Sequence, residues 1–289
     1  MLKRLLGKWI LPAIVLGSAV CASAQAGNML PSAPSPAQQC GLKSLKVCAV
    51  HVTQDEVGIV TSPLHAPLGQ LAWMLPAFGA ATGLAVHFDT QAIHDLGNHP
   101  NREHRFDQYS TYVGLYGPFI ASAAGYGIGT MQHNGYLAET AVLASEAMAD
   151  ADILGEGLNY AIDREGPQQD NARGELWPNG PKGWPNSPSM PSEHSMNVWA
   201  FARVVAGQYN GVATKALVYG LAASTSVSRV IAKQHFPSDV LVGSTLGWLI
   251  GGYVLHHRSL EHGSLIDLSA VQTPLGRGLQ LQLNLNRSR

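Results

Sequence analysis

Three stretches without a charged side chain, Leu68–Val86, Tyr109–Met131 and Val240–Leu255, limit what this chain can fold into more than any other feature. They approach the length that spans a bilayer, and from Leu68 onward the apolar spacing is helical. Only 13% of residues are charged, which is low for a soluble protein. Against a membrane-embedded reading, the three runs are rich in Gly, Ala and Ser, the first two contain Pro76 and Pro118, and mean hydropathy is only +0.03. The balance favours a soluble or peripherally attached all-α protein. Net charge is −1, so no basic excess points to nucleic acid as a partner.

The N-terminus carries Lys3, Arg4 and Lys8, an apolar run from Trp9 to Val20, and Ala22 and Ala24 before Gln25. This order reads as a signal peptide over 1–24, hence a chain exported to the periplasm or secreted. Val20 is too large before Cys21 for lipoprotein processing. Cys40 and Cys48 then either form a disulfide or remain two buried thiols. Residues 25–60 read as a Pro-rich linker followed by a short strand or extended arm, because Val47, Val50, Val52, Val57 and Val60 alternate with polar residues from Leu42 to Val60.

A single helical domain is expected over 61–258. Helical spacing covers 136–161, and Ser192 suits an N-cap for a helix over 193–209 with Val198, Phe201, Ala202 and Val205 inward. Further helices are expected over 212–233 and from Pro237 onward. The stretch 166–191, dense in Pro, Gly and Asn, reads as a long functional loop. In the tail, 259–289, alternation over Leu279–Leu285 predicts a strand that pairs with the arm at 42–60.

Chemistry concentrates in two segments. Pro191-Ser192-Glu193-His194 precedes Ser228-Arg229, five residues, His235, three residues and Asp239. A phosphoryl group needs cations and N–H groups around its oxygens, an imidazole that attacks and another that protonates the leaving oxygen. These segments supply both imidazoles and a guanidinium that can fork onto two oxygens. His94, His99 and His104 recur every five residues, a spacing that shares no helix face, so no metal site is assigned to them.

The pattern resembles the type 2 phosphatidic acid phosphatase and vanadium haloperoxidase superfamily. Its third signature, Ser-Arg, five residues, His, three residues, Asp, is matched completely by Ser228, Arg229, His235 and Asp239. Its second, Pro-Ser-Gly-His, is matched except at Glu193. Its first, a lysine followed after six residues by Arg-Pro, finds Asn159 at the lysine, Gly166 at the arginine and a matching Pro167.

The resemblance implies a helical bundle of the acid phosphatase type and an exported phosphatase acting on a lipid phosphate or small phosphate monoester, without cofactor or metal. It implies that His235 is the nucleophile, that Asp239 orients it by accepting from its far ring nitrogen, and that His194 is the general acid. Arg229, the Ser192 hydroxyl and the Glu193 backbone N–H would bind phosphate, although Ser192 could equally serve as a cap. Arg164 and Lys233, which lies one turn after Arg229 if the helix persists, would replace the missing cations, with Arg173 and Lys182 as further candidates. The Glu193 carboxylate would repel phosphate unless it turns away. Two alternatives stay open: an impaired member that binds a phosphorylated ligand or serves structurally, and a vanadium-dependent haloperoxidase.

Overall fold

The computed structural model describes residues 40, 44–65, 68–178, 180, 188–259, 266–273 and 276–283. The architecture is all-α, as the apolar spacing predicts. In chain order it comprises α1 (Leu45–His65), α2 (Leu68–Asp95), α3 (Pro100–Tyr109), a π-helical segment (Ser110–Tyr116), α4 (Gly117–Met131), α5 (Gly135–Ile162), α6 (Glu193–Gln208), α7 (Val212–Ile231) and α8 (Pro237–Arg258). The expected signal peptide and Pro-rich lead-in lie outside the described residues, apart from Cys40, which is disulfide-bonded to Cys48.

Helix α6 is buried on two faces. Met196, Ala200 and Val204 pack with Leu143, Ala147 and Ala151 of α5 and with Ile250 and Val254 of α8. On the other face Val198, Ala202 and Ala206 meet Val218 and Ala222 of α7. Val198 and Ala202 are therefore inward as expected, while Phe201 and Val205 are partly buried at the edges of the two clusters.

Three glycines bring α6 and α8 into backbone contact. A Cβ at Gly243 would stand 2.5 Å from the Ser192 carbonyl oxygen, one at Gly247 2.1 Å from that of Met196, and one at Gly251 2.5 Å from that of Ala200. Both series step by four, so one row of α8 rides along one row of α6. This close approach places the start of α6 against the first turn of α8, where the Ser192 N–H donates to the Asp239 carbonyl at 3.1 Å.

Two expectations are corrected. Residues 45–65 form a helix rather than an extended arm, because the side facing the bundle is polar: His51 meets Glu146 at 3.0 Å and Asp55 accepts from Arg258 at 2.8 Å. His51 and Asp55 are one turn apart, whereas Val50, Val57 and Val60 are exposed, so the valine alternation carried no burial signal. Among the described residues the tail does not pair with that segment. Strand β1 (Ile266–Thr273) pairs antiparallel with β2 (Gly276–Leu283), Ile266 opposite Leu283.

The stretch after α5 is ordered by its own backbone bonds where it is described. Glu165 N–H donates to the Glu175 carbonyl at 3.0 Å and Trp177 N–H to that of Asp163 at 2.8 Å. Helix α8 is, among the described residues, the helix long and apolar enough to cross a membrane, and 56% of its apolar window is buried within the bundle.

Candidate active site

The chain between α7 and α8 delivers the expected nucleophile. Helix α7 stops at Ile231, Lys233 turns into the left-handed region at φ 55°, and the N–H groups of Gln234 and His235 both return to the Arg229 carbonyl, at 3.0 and 3.4 Å. Pro237 then opens α8. His235 Nδ1 lies 2.8 Å from the Ser189 carbonyl oxygen. A carbonyl only accepts, so Nδ1 carries the ring proton and Nε2 holds the lone pair.

The orienting role expected of Asp239 is thus taken by a backbone carbonyl. Asp239 is turned the other way, accepting from Arg164 Nη1 at 2.6 Å and from the Phe236 N–H at 2.8 Å. Burial pushes its carboxyl up to about 6, with Arg164 and the Phe236 N–H pulling against that rise.

Arg164 is also corrected. It is buried, with Nη1 donating to Ser238 Oγ and Asp239, Nη2 to Asp89 at 2.8 Å and Nε to the Gly174 carbonyl at 3.3 Å, while the guanidinium lies over the Phe236 ring. Two carboxylates neutralise it, and four of its five N–H donors are taken by protein acceptors. It acts instead as a clamp, and its own carbonyl accepts from the Ser189 N–H at 2.8 Å, next to the carbonyl that holds His235.

Lys233 does not continue the helical row of Arg229, because the helix has ended; its ammonium faces Glu103 at 3.5 Å. Arg173 pairs with Glu175 at 3.6 Å on the surface, and Lys182 lies outside the described residues. His94, His99 and His104 are exposed on or beside α2 and α3 rather than in one loop.

Among the described residues, Arg229 is the cation whose charge acts on both imidazoles. Nη1 donates to Asp107 Oδ1 at 2.8 Å and to Ser110 Oγ at 3.3 Å, both brought in where α3 passes into the π-helical segment. Gly114 permits that approach, since a Cβ there would stand 2.1 Å from Thr225 Cγ2 of α7. Arg229 Nε is buried and unpaired, and so is Nε2 of His194 on the first turn of α6. The three groups sense one another. Burial and then the Arg229 charge push His194 down to about 4; burial, Arg229 and, more weakly, His194 push His235 down to about 3, against the Ser189 hydrogen bond. Both imidazoles are therefore neutral near pH 7.

Ser192 occupies the N-cap position of α6 without a side-chain cap. Its Oγ instead accepts from Ser195 Oγ at 3.2 Å, which accepts from Ser226 Oγ at 3.2 Å. A hydroxyl that accepts in this way keeps its own proton to give to an anion.

Two of the three departures from the family pattern meet. Asn159 Nδ2 donates to Glu193 Oε1 at 2.7 Å, which draws the carboxylate toward α5. Gly166 supplies no charge; a Cβ there would lie 3.8 Å from Ser189 Cβ and 4.0 Å from the Gln234 carbonyl, beside the support of His235. Sequence reasoning missed Asp107, Ser110, Ser189 and Asp89. Ser189 acts through its backbone, and Asp107 is 122 positions from its partner, so no local pattern marks either.

Residues 140–261 match the sequence profile of the PAP2 superfamily. That match supports phosphatase chemistry. Among solved structures, the first transmembrane PAP2 type phosphatidylglycerolphosphate phosphatase from Bacillus subtilis is 20% identical over 71% of this chain and 92% of that chain, with a TM-score of 0.39. No curated protein matches the chain.

Proposed function

From the match of residues 140–261 to the PAP2 superfamily, we propose that this chain is an exported phosphatase that cleaves a phosphate monoester through a phosphohistidine. The observation that supports it is a site where the Arg229 charge acts on both His194 and His235 and where two buried nitrogens, His194 Nε2 and Arg229 Nε, lack partners. An oxyanion held there would satisfy both.

In this reading the His235 Nε2 lone pair attacks phosphorus while the bond to the leaving oxygen breaks, and His194 gives its proton to that oxygen. Water then attacks phosphorus, the P–N bond breaks back to Nε2, and His194 takes the water proton. Burial and the Arg229 charge keep His194 neutral, but a bound phosphate raises its proton affinity by opposite charge. Arg229 and the Ser192 hydroxyl hold the oxygens, and Asp239 and Arg164 position Ser189 and through it His235. The exposed apolar side chains Tyr112, Phe119, Ile120 and Met131 support a lipid phosphate as substrate, met at a membrane surface.

The test is hydrolysis of a generic phosphate ester by wild type beside His235→Ala, with acid-stable and acid-labile phosphate on the protein measured after quenching. We expect the variant to lose turnover and the acid-labile label together. Equal rates would reject the assignment. Asn159 and Gly166 favour a second reading, an impaired member that binds phosphorylated ligands, and it gains support if both proteins bind phosphate but neither turns over ester.

A further inference from the structure

The PAP2-like segments place Glu193 one residue before the general acid, at the first position of α6, where the helix terminus attracts anions. An ionised carboxylate at that position competes with phosphate for the same terminus and for Arg229, whose charge it feels. The surroundings determine when it is ionised. Asn159 Nδ2 holds Glu193 Oε1 at 2.7 Å, and Asn159 Oδ1 is buried without a partner, an acceptor that a half-turn of the amide would offer to a carboxyl proton. Asp152, Glu156 and Glu193 line one open cleft, so protons exchange freely with solvent there.

The charged and titratable groups around Glu193 are Asp152, Glu156 and Tyr160 of α5, which line the same cleft, Arg229 of α7 and its own sequence neighbour His194. Asp152 accepts from Asn197 Nδ2, whereas Glu156 is the carboxyl that shares a hydrogen bond with Glu193. Burial, then a hydrogen bond to Glu156 and the charges of Glu156 and Asp152, hold the Glu193 carboxyl above the usual carboxylate range, against the Asn159 bond.

We propose that Glu193 is a proton-operated gate on the anion pocket: its neutral carboxyl, seated on Asn159, lets phosphate occupy the α6 terminus and Arg229, and its carboxylate excludes phosphate. Glu193 is a positioning and specificity residue in this scheme, and no bond is made or broken at it. The inference rests on the phosphatase reading only for the identity of the anion. Asn159 and Glu193 then form one device in place of the lysine and glycine expected at those positions.

The experiment titrates sulfate, whose charge does not change, into the full chain by calorimetry from about pH 5 to about pH 8. Wild type should lose affinity as pH rises, while Glu193→Gln should bind about tenfold more tightly than wild type at the alkaline end and equally at the acid end. Glu156→Gln removes the proton-sharing neighbour and should move the wild-type loss to lower pH. Thermal melting checks that each variant is folded. A Glu193→Gln to wild-type ratio that stays constant across pH, an unshifted profile in Glu156→Gln, or absence of sulfate binding in all three proteins overturns the proposal. Sulfate binding is read without turnover, so equal ester hydrolysis by wild type and His235→Ala would remove the phosphatase reading and leave this result standing.

Discussion

Arg164 shows what a single side chain can organise. Its guanidinium joins Asp89 of α2 to Ser238 and Asp239 of α8, while its carbonyl holds the Ser189 peptide that fixes the His235 tautomer. Replacing it with leucine leaves two buried carboxylates uncompensated, and the loss of one partner from such a group costs about 3–5 kcal/mol. Urea unfolding should show that loss in Arg164→Leu, and a change below about 1 kcal/mol would mean that Asp89 and Asp239 find other partners. Arg164→Lys keeps the charge but not the fork, so it should fall between the two. The sequence marked Arg164 as basic and near the site. It did not reveal the counter-charges, because Asp89 is distant in the chain.

Helix pairing is decided by glycine placement on α8. Gly247→Ala would put a methyl group 2.1 Å from the Met196 carbonyl oxygen, and backbone cannot yield as a flexible side chain would. Forcing α6 and α8 apart should cost about 1–3 kcal/mol or more by overpacking, and it should also lower turnover by shifting Ser192 relative to His235. Gly220 is the contrasting case: it is exposed within α7 and a Cβ there meets nothing within 4 Å. Gly220→Ala should stabilise by about 0.5–1 kcal/mol through helix propensity alone. Thermal melts of both variants test this pair, and a stabilised Gly247→Ala would contradict the close approach of the two helices. The helices expected over 136–161, over 193–209 and from Pro237 onward are observed at 135–162, 193–208 and 237–258, so apolar period and Pro237 made them legible. Lys233 was misplaced because nothing local announces that α7 ends two residues before it.

At the scale of the whole molecule, the docking of α1 on α5 and α8 places acids in the interior. Asp150 is fully buried with both oxygens unpaired, and burial followed by the charges of Asp55, Glu56 and Glu146 pushes it up to about 8, with Arg258 opposing. An unfolded aspartate releases its proton near pH 4, whereas the folded one keeps it to about 8. Between those values the folded chain binds the extra proton, so stability falls as pH rises. Asp150→Asn should flatten that slope and raise the melting temperature at the alkaline end, and parallel profiles would refute the assignment. The order of motifs and the period of apolar side chains, read on the chain alone, determined a helical bundle and named His194, Arg229 and His235, because helix formation and the spacing of reactive groups are local properties. Which polar partners meet was decided only by tertiary packing: Asp239 with Arg164 and Asp55 with Arg258 as ion pairs, Asn159 with Glu193 as a hydrogen bond. Burial and dielectric depend on what lies across the helix interface, and a linear sequence does not contain that neighbour.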